Sequence, residues 1–121
     1  MTIVHDQNID YHSSRAAINE MSKYYAIKLG PKKITSNCVL PTKIIKPENQ
    51  KFYNKKRNKI KKMMKLITPI KRMGTSKDIA YVVEFLTSKN STYVTGCEIP
   101  VDGGARLQSH ETIANIYKKI S

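Results

Sequence analysis

The chain has 121 residues, with 22 lysines and arginines against 9 aspartates and glutamates and a formal charge of +13. That length holds one domain at most, with a moderate core. No apolar run approaches the roughly twenty residues needed to cross a bilayer and the N-terminus lacks an apolar signal core, so a cytoplasmic protein with no membrane association is expected.

Met1 to Ile9 is short and polar and reads as a loop feeding the first helix. The stretch from Asp10 to Gly30 has helical periodicity: Ser14, Ile18, Met21, Tyr25 and Leu29 recur at spacings of three and four and predict a buried stripe. Asp10 can cap the start, and Gly30 followed by Pro31 ends the helix, glycine taking a left-handed terminal position that proline cannot extend. Tyr11 and Arg15 stand one turn apart on this helix. A positive charge beside a phenol favours its ionised form, which suits it to move a proton; by itself such a pair more often means surface packing.

Ile34 to Leu40 has the length and β-branched content of a strand, with Pro41 stopping it. From Pro47 to Thr68, Phe52, Ile60, Met63, Met64 and Ile67 alternate with Lys51, Lys55, Lys56, Arg57, Lys59, Lys61, Lys62 and Lys65, the pattern of an amphipathic helix or helix pair with a solvated basic face. The abundance of lysine, isoleucine and asparagine also fits drift toward AT-rich codons. As a nucleic-acid reader the segment lacks an aromatic platform, so nucleic acid is not an expected partner beyond unspecific phosphate attraction.

Thr75 and Asp78 have capping-box spacing, and Ile79, Val82, Val83 and Leu86 continue as a helix. Lys89 to Ser91 turns the chain, Cys97, Ile99 and Val101 alternate as a second strand, and Asp102-Gly103-Gly104 is a sharp turn. Ile113, Ile116, Tyr117 and Ile120 line one face of a short terminal helix, for which fraying in solvent is as good a reading as covering a neighbouring subunit. Cys38 and Cys97 have neither metal spacing nor a disulfide framework and point to a reducing compartment. His5, His12 and His110 are too dispersed for a metal site, and no metal is expected.

Taken together, Tyr11 with Arg15, Asn37-Cys-Val-Leu-Pro41-Thr42, Pro69-Ile-Lys-Arg-Met-Gly74 and Val101-Asp-Gly-Gly104 resemble, in order and spacing, the C-terminal half of a short-chain dehydrogenase/reductase. The Leu29-Gly-Pro-Lys-Lys-Ile34 run and the Pro41-Thr42 pair look most like the L-xylulose reductase and carbonyl reductase branch, with bacterial 3-oxoacyl-carrier-protein reductases a close second. The resemblance implies an α/β fold: the C-terminal part of a Rossmann-type, doubly wound parallel sheet, about two strands with flanking helices. It assigns residues 1–104 to a partial domain of that kind, with catalytic helix, substrate lid and last two strands, and residues 105–121 to a tail.

It further implies hydride transfer between NAD or NADP and a carbonyl or hydroxyl carbon. Tyr11 matches the family's acid/base tyrosine, and Arg15 stands at the position of its lysine, which also holds the nicotinamide ribose. Pro41, Thr42 and the backbone of Ile44 match the residues lying against the nicotinamide, while Lys46 stands where the family often has a diphosphate-binding threonine. The family's catalytic serine would fall before Met1, and none of the glycines forms G-x-G-x-x-G. The expectation is a truncated oxidoreductase, inactive as this chain alone. Its alternatives are a non-catalytic partner in homo- or hetero-oligomers with full-length relatives, and a basic phosphate-binding or nucleic-acid-binding module. Weak stability of the isolated chain is also expected, from an unpaired strand edge and an uncovered apolar helix face.

Overall fold

A computed structural model describes Val4, residues 6–56 and residues 58–119. His5 and most of the N-terminal loop, Arg57 of the basic run and Ile120 of the terminal helix lie outside the described residues. The chain divides into two compact units, Met1–Cys38 with Phe85–Ile99, and Val39–Glu84 with Pro100–Ser121.

In the first unit, α1 runs over Ile9–Leu29, a stretch free of proline and glycine, with Asp10 in its first turn and Lys28 in its last, each complementing the helix dipole. The residue before the helix is Asn8, so Asp10 is inside it and is not its cap. The expected stripe is corrected: Ile18, Met21 and Tyr25 are 58%, 53% and 45% exposed, and Ser14 is exposed too. The residues packed inward are His12, Asn19 and Ala26, with Ser22 and Leu29 half-buried, a face of small and polar side chains. Such a face admits a close backbone. A Cβ placed on Gly96, whose φ is 71°, would lie 3.5 Å from the Ala26 Cβ.

The end of α1 also differs from expectation. Gly30 stays right-handed and opens a 3-10 turn, Gly30–Lys32, in which Pro31 needs no donor; the left-handed residue is Lys33, with φ 61°. The strand is β1, Cys38–Pro41, shorter than Ile34 to Leu40. Its expected first half is held differently. Ser36 O accepts from Gly96 N at 2.7 Å, Ser36 N donates to Thr95 Oγ1 at 3.0 Å, and Ser22 and Ser36 hydroxyls meet at 3.0 Å. Asn37 donates through Nδ2 to Val94 O at 2.9 Å and accepts at Oδ1 from Cys97 N at 3.1 Å. The Thr95 hydroxyl and the Asn37 amide take backbone groups that a ladder would have used, beside the one backbone bond at Ser36 O, and the assigned strand begins at Cys38, whose N donates to Cys97 O at 2.9 Å.

The second unit contains β2, Ile44–Ile45, and β3, Gly74–Thr75, paired in parallel with Ile44 opposite Gly74 and Ile45 opposite Thr75. The absence of a side chain at Gly74 matters there, because a Cβ would come 3.1 Å from Ile44 Cγ2. Tyr53 of short α2, Gln50–Tyr53, and Met64 of α3, Lys59–Ile67, form the core with Met73, the residue before β3, flanked by Ile45, Ile60, Met63 and Ile67. This is the amphipathic helix pair expected of Pro47 to Thr68. Asn58 caps α3, its Oδ1 accepting from Lys61 N at 2.9 Å.

The helix α4, Ser76–Leu86, starts as its capping spacing predicts: Asp78 Oδ2 accepts from Thr75 N at 2.7 Å and from Thr75 Oγ1 at 2.9 Å. Lys89–Ser91 forms a 3-10 turn. The second strand is β4, Glu98–Val101, which pairs with β1. After the Asp102 turn, α5, His110–Lys118, is capped by Ser109, whose Oγ accepts from Thr112 N at 3.1 Å, and it packs against α3. Among the described residues the architecture is α/β, two short two-stranded sheets with helices, where two strands were expected.

Candidate functional site

Helical spacing brings Tyr11 and Arg15 together in the first unit. The Arg15 guanidinium carbon lies over the Tyr11 ring, 3.5 Å from its centroid, and Arg15 donates through a terminal nitrogen to the Tyr11 carbonyl oxygen at 3.4 Å. This is a cation–π stack on the ring face. The expected placement of the cation beside the phenol oxygen is not what the geometry shows: a planar guanidinium stacks flat where a lysine ammonium would extend past the ring. Tyr11 is half-buried, and next to it the buried His12 packs edge-on against its ring at 5.3 Å and meets Val4 O through Nε2 at 3.2 Å.

Pro41, Thr42 and Ile44 belong to the second unit. Thr42 lines a hollow of about 180 Å³ there, together with Lys43, Thr68, Arg72, Asp78 and Asp102 among others. Pro41 closes β1, where a missing donor does little harm, and Ile44 is engaged in the β2–β3 pair. The Ile44 carbonyl accepts from Asn49 Nδ2 at 3.2 Å. Lys46 precedes the 3-10 turn Pro47–Asn49; its amide donates to Asn49 Oδ1 at 2.7 Å and its ammonium faces Glu48 at 3.8 Å.

Two carboxylates shape the electrostatics of this hollow. Asp78 receives both arms of Arg72 at 2.7 Å, and the guanidinium outweighs burial and holds the carboxyl well below the usual carboxylate range, helped by the Thr75 amide and hydroxyl. Burial pushes Asp102 up, but the backbone amides of Arg106 and Gly104, at 3.0 and 2.9 Å, and the Arg106 guanidinium bring it below its ordinary value. Both stay ionised near neutral pH, so the hollow carries fixed negative charge beside Lys43 and Arg72. For a nicotinamide dinucleotide, the Thr42 hydroxyl and the Lys43 ammonium at this hollow are groups of the kind that a carboxamide and a diphosphate need, so these residues of the second unit fit. Arg15, spent on the Tyr11 ring and carbonyl, has less to offer a ribose.

Sequence reading missed the clamps. Asn37 is read in the motif only as a letter, yet its amide bridges Val94 and Cys97. Asp102 is read as part of a turn, yet it ties Gly104 and Arg106 into the chain reversal. An Asx side chain two residues before a glycine is the signal that pointed to the second. Among the described residues no three His, Cys, Asp or Glu side chains gather as a metal site.

The sequence matches the family model described as enoyl-(acyl carrier protein) reductase over residues 1–106. It is 37% identical over 92 residues to the peroxisomal 2,4-dienoyl-CoA reductase of Saccharomyces cerevisiae, covering 76% of this chain and 31% of that protein. With the L-xylulose reductase of Bos taurus it shares 35% identity over 94 residues, 78% of this chain and 38% of that one. A crystal structure of a short chain dehydrogenase family protein from Francisella tularensis superimposes with a TM-score of 0.70 and 30% identity, over 88% of this chain and 47% of that chain. The α/β arrangement is thus part of a Rossmann-type fold. The chain spans about a third of the length of these curated relatives.

Proposed function

This chain belongs to the short-chain dehydrogenase/reductase family, and from that premise we propose that it carries the proton-handling part of an NAD(P)(H)-dependent carbonyl or sugar reductase. The observation that carries the reading is the Tyr11–Arg15 pair on one face of α1, followed in order by the Pro41-Thr42 and Val101-Asp-Gly-Gly104 motifs. Similarity to L-xylulose reductase supports a small carbonyl or hydroxyl substrate. NAD or NADP, when bound, supplies or accepts the hydride.

Tyr11 gives the phenol proton to the substrate oxygen during reduction and takes it back during oxidation. Arg15 keeps a positive charge beside that ring and does not release a proton near neutral pH, so the relay that a lysine offers is lost. By the family resemblance, Pro41, Thr42 and the Ile44 backbone would lie against the nicotinamide. Hydride transfer also needs a group that orients the substrate oxygen and a phosphate cradle, and positioning of this kind supplies roughly 7 to 11 kcal/mol of barrier lowering. The five glycines of this chain build no such cradle. Turnover by these 121 residues is therefore expected only beside a chain segment that supplies both. Its free thiols, Cys38 and Cys97, suit the cytoplasm.

The test is NAD(P)H oxidation with dicarbonyl and ketose substrates, for the chain alone and mixed with the cofactor-binding half of a family member. No turnover alone, turnover in the mixture and its loss in Tyr11→Phe support the reading; turnover that Tyr11→Phe leaves intact overturns it.

A second reading, a non-catalytic partner of full-length relatives or of its own copies, is favoured by the apolar side chains that α1 leaves exposed, among them Ile18, Met21, Tyr24 and Ile27. Co-purification of an intact reductase with the chain, abolished by Ile18→Glu with Ile27→Glu, supports it; the chain recovered alone and monomeric excludes it.

A further inference from the structure

Phe52, Lys55, Asn58, Lys59 and Ile60 line a second hollow, a shallow depression of about 280 Å³ open to solvent. Its walls are tied together. Asn58 Nδ2 donates to Phe52 O at 2.7 Å while its Oδ1 caps α3, and the buried Tyr53 packs edge-on against Phe52 at 5.0 Å. Phe52 itself stays 46% exposed, an apolar ring beside two ammonium groups.

The surrounding charge has one sign. Every charged residue between Glu48 and Asp78 is a lysine or an arginine. Lys51, Lys55, Lys56, Lys59, Lys62 and Lys65 are exposed, and among the described residues none of these six lies within ion-pair distance of a carboxylate. Six unneutralised cations on one short segment raise the local potential and favour a polyanion. An anion alone leaves the exposed ring unused, and a single-stranded nucleic acid needs successive aromatic platforms where this segment offers one exposed ring.

We infer that this hollow binds a purine nucleotide bearing two or more phosphates, the base against Phe52 and Ile60 and the phosphates on Lys55 and Lys59. The site makes no use of Tyr11 or of hydride transfer, so it stands or falls apart from the reductase reading. Sources of the same chemistry are a free nucleotide and the nucleotide tail of a larger cofactor.

The experiment is isothermal titration of the full chain at low salt, without divalent metal, with ATP, adenosine 3′,5′-bisphosphate, adenosine and inorganic pyrophosphate. Expected are affinities for ATP or the bisphosphate at least tenfold above those for adenosine and pyrophosphate; whichever of the two binds tighter identifies the source. Lys55→Gln with Lys59→Gln weakens nucleotide binding at least tenfold, and Phe52→Ala weakens the nucleotide without weakening pyrophosphate. Lys71→Gln with Lys77→Gln, outside the hollow, leaves both unchanged, and circular dichroism checks that each variant is folded. Pyrophosphate binding as tightly as ATP, equal losses in the two lysine pairs, tighter binding of single-stranded RNA that ignores Phe52, or no binding at all overturns the inference.

Discussion

Single side chains set the conditions under which the site can exist, and Asp78 is the clearest. Its bidentate pair with Arg72 and its bonds to Thr75 N and Oγ1 start α4 and hold β3 in place. Because the folded carboxyl titrates below the unfolded one, its stabilisation is fully present above the unfolded value near 4 and fades as pH falls through the lower folded value. Arg72 is more than half exposed, which discounts the pair. Asp78→Ala is expected to lower stability by about 1 to 2 kcal/mol at pH 7; urea unfolding at pH 7 and below pH 3 checks it, the gap between variant and parent narrowing in acid. At Gly103, with φ 60°, an added Cβ would lie 2.6 Å from Thr68 Cγ2, and Thr68 is pinned by its bond to Met64 O at 2.7 Å. Gly103→Ala should therefore cost about 1 to 3 kcal/mol, read from the same unfolding curves.

At the scale of elements, α1 shows what a sequence conveys and what it withholds. Its extent follows from propensity and the Gly30-Pro31 break, and the structure keeps it at Ile9–Leu29. Its buried face does not follow from apolar spacing, because close packing on Gly96 selects Ala26, Ser22 and Asn19 over the larger Ile18 and Tyr25. The strand after it is shortened for a related reason: Ser36 N bonds the Thr95 hydroxyl and the Asn37 side chain bonds the backbone of Val94 and Cys97, partners nearly sixty residues away that local reading cannot see. The one-turn spacing of Tyr11 and Arg15 was legible, whereas the stacking of Arg15 on the ring depends on rotamers. The left-handed Lys33 gives an element-level prediction, since a residue with a Cβ is strained there. Lys33→Gly should raise stability by about 0.5 to 1 kcal/mol, visible as a higher thermal midpoint; a lower one would contradict the assignment.

For the whole chain, the buried apolar residues among those described are Ala26, Tyr53, Met64 and Met73, a thin core for 121 residues. Exposed Ile9, Ile18, Met21 and Ile27 on α1 and Ile70 beyond α3 give the chain reason to associate. The unfolding midpoint in urea is expected well below roughly 3 M on the usual slopes for small proteins, and it should rise with protein concentration if association is what completes the core. A sharp, concentration-independent transition above that value would show a self-sufficient fold. Composition made the basic segment readable and the ordered motifs the family; neither could tell which apolar surface stays open, because that depends on three-dimensional packing.

Tyr11 as the group that exchanges a proton with the substrate oxygen is the claim on which the functional account turns. Its most direct measure is the rate of hydride transfer from NAD(P)H in the mixture of this chain with a family member's cofactor-binding half, compared between the parent and Tyr11→Phe. The account predicts a fall of about a hundredfold or more, the range that a positioned proton donor contributes. Equal rates in the two mixtures would contradict it.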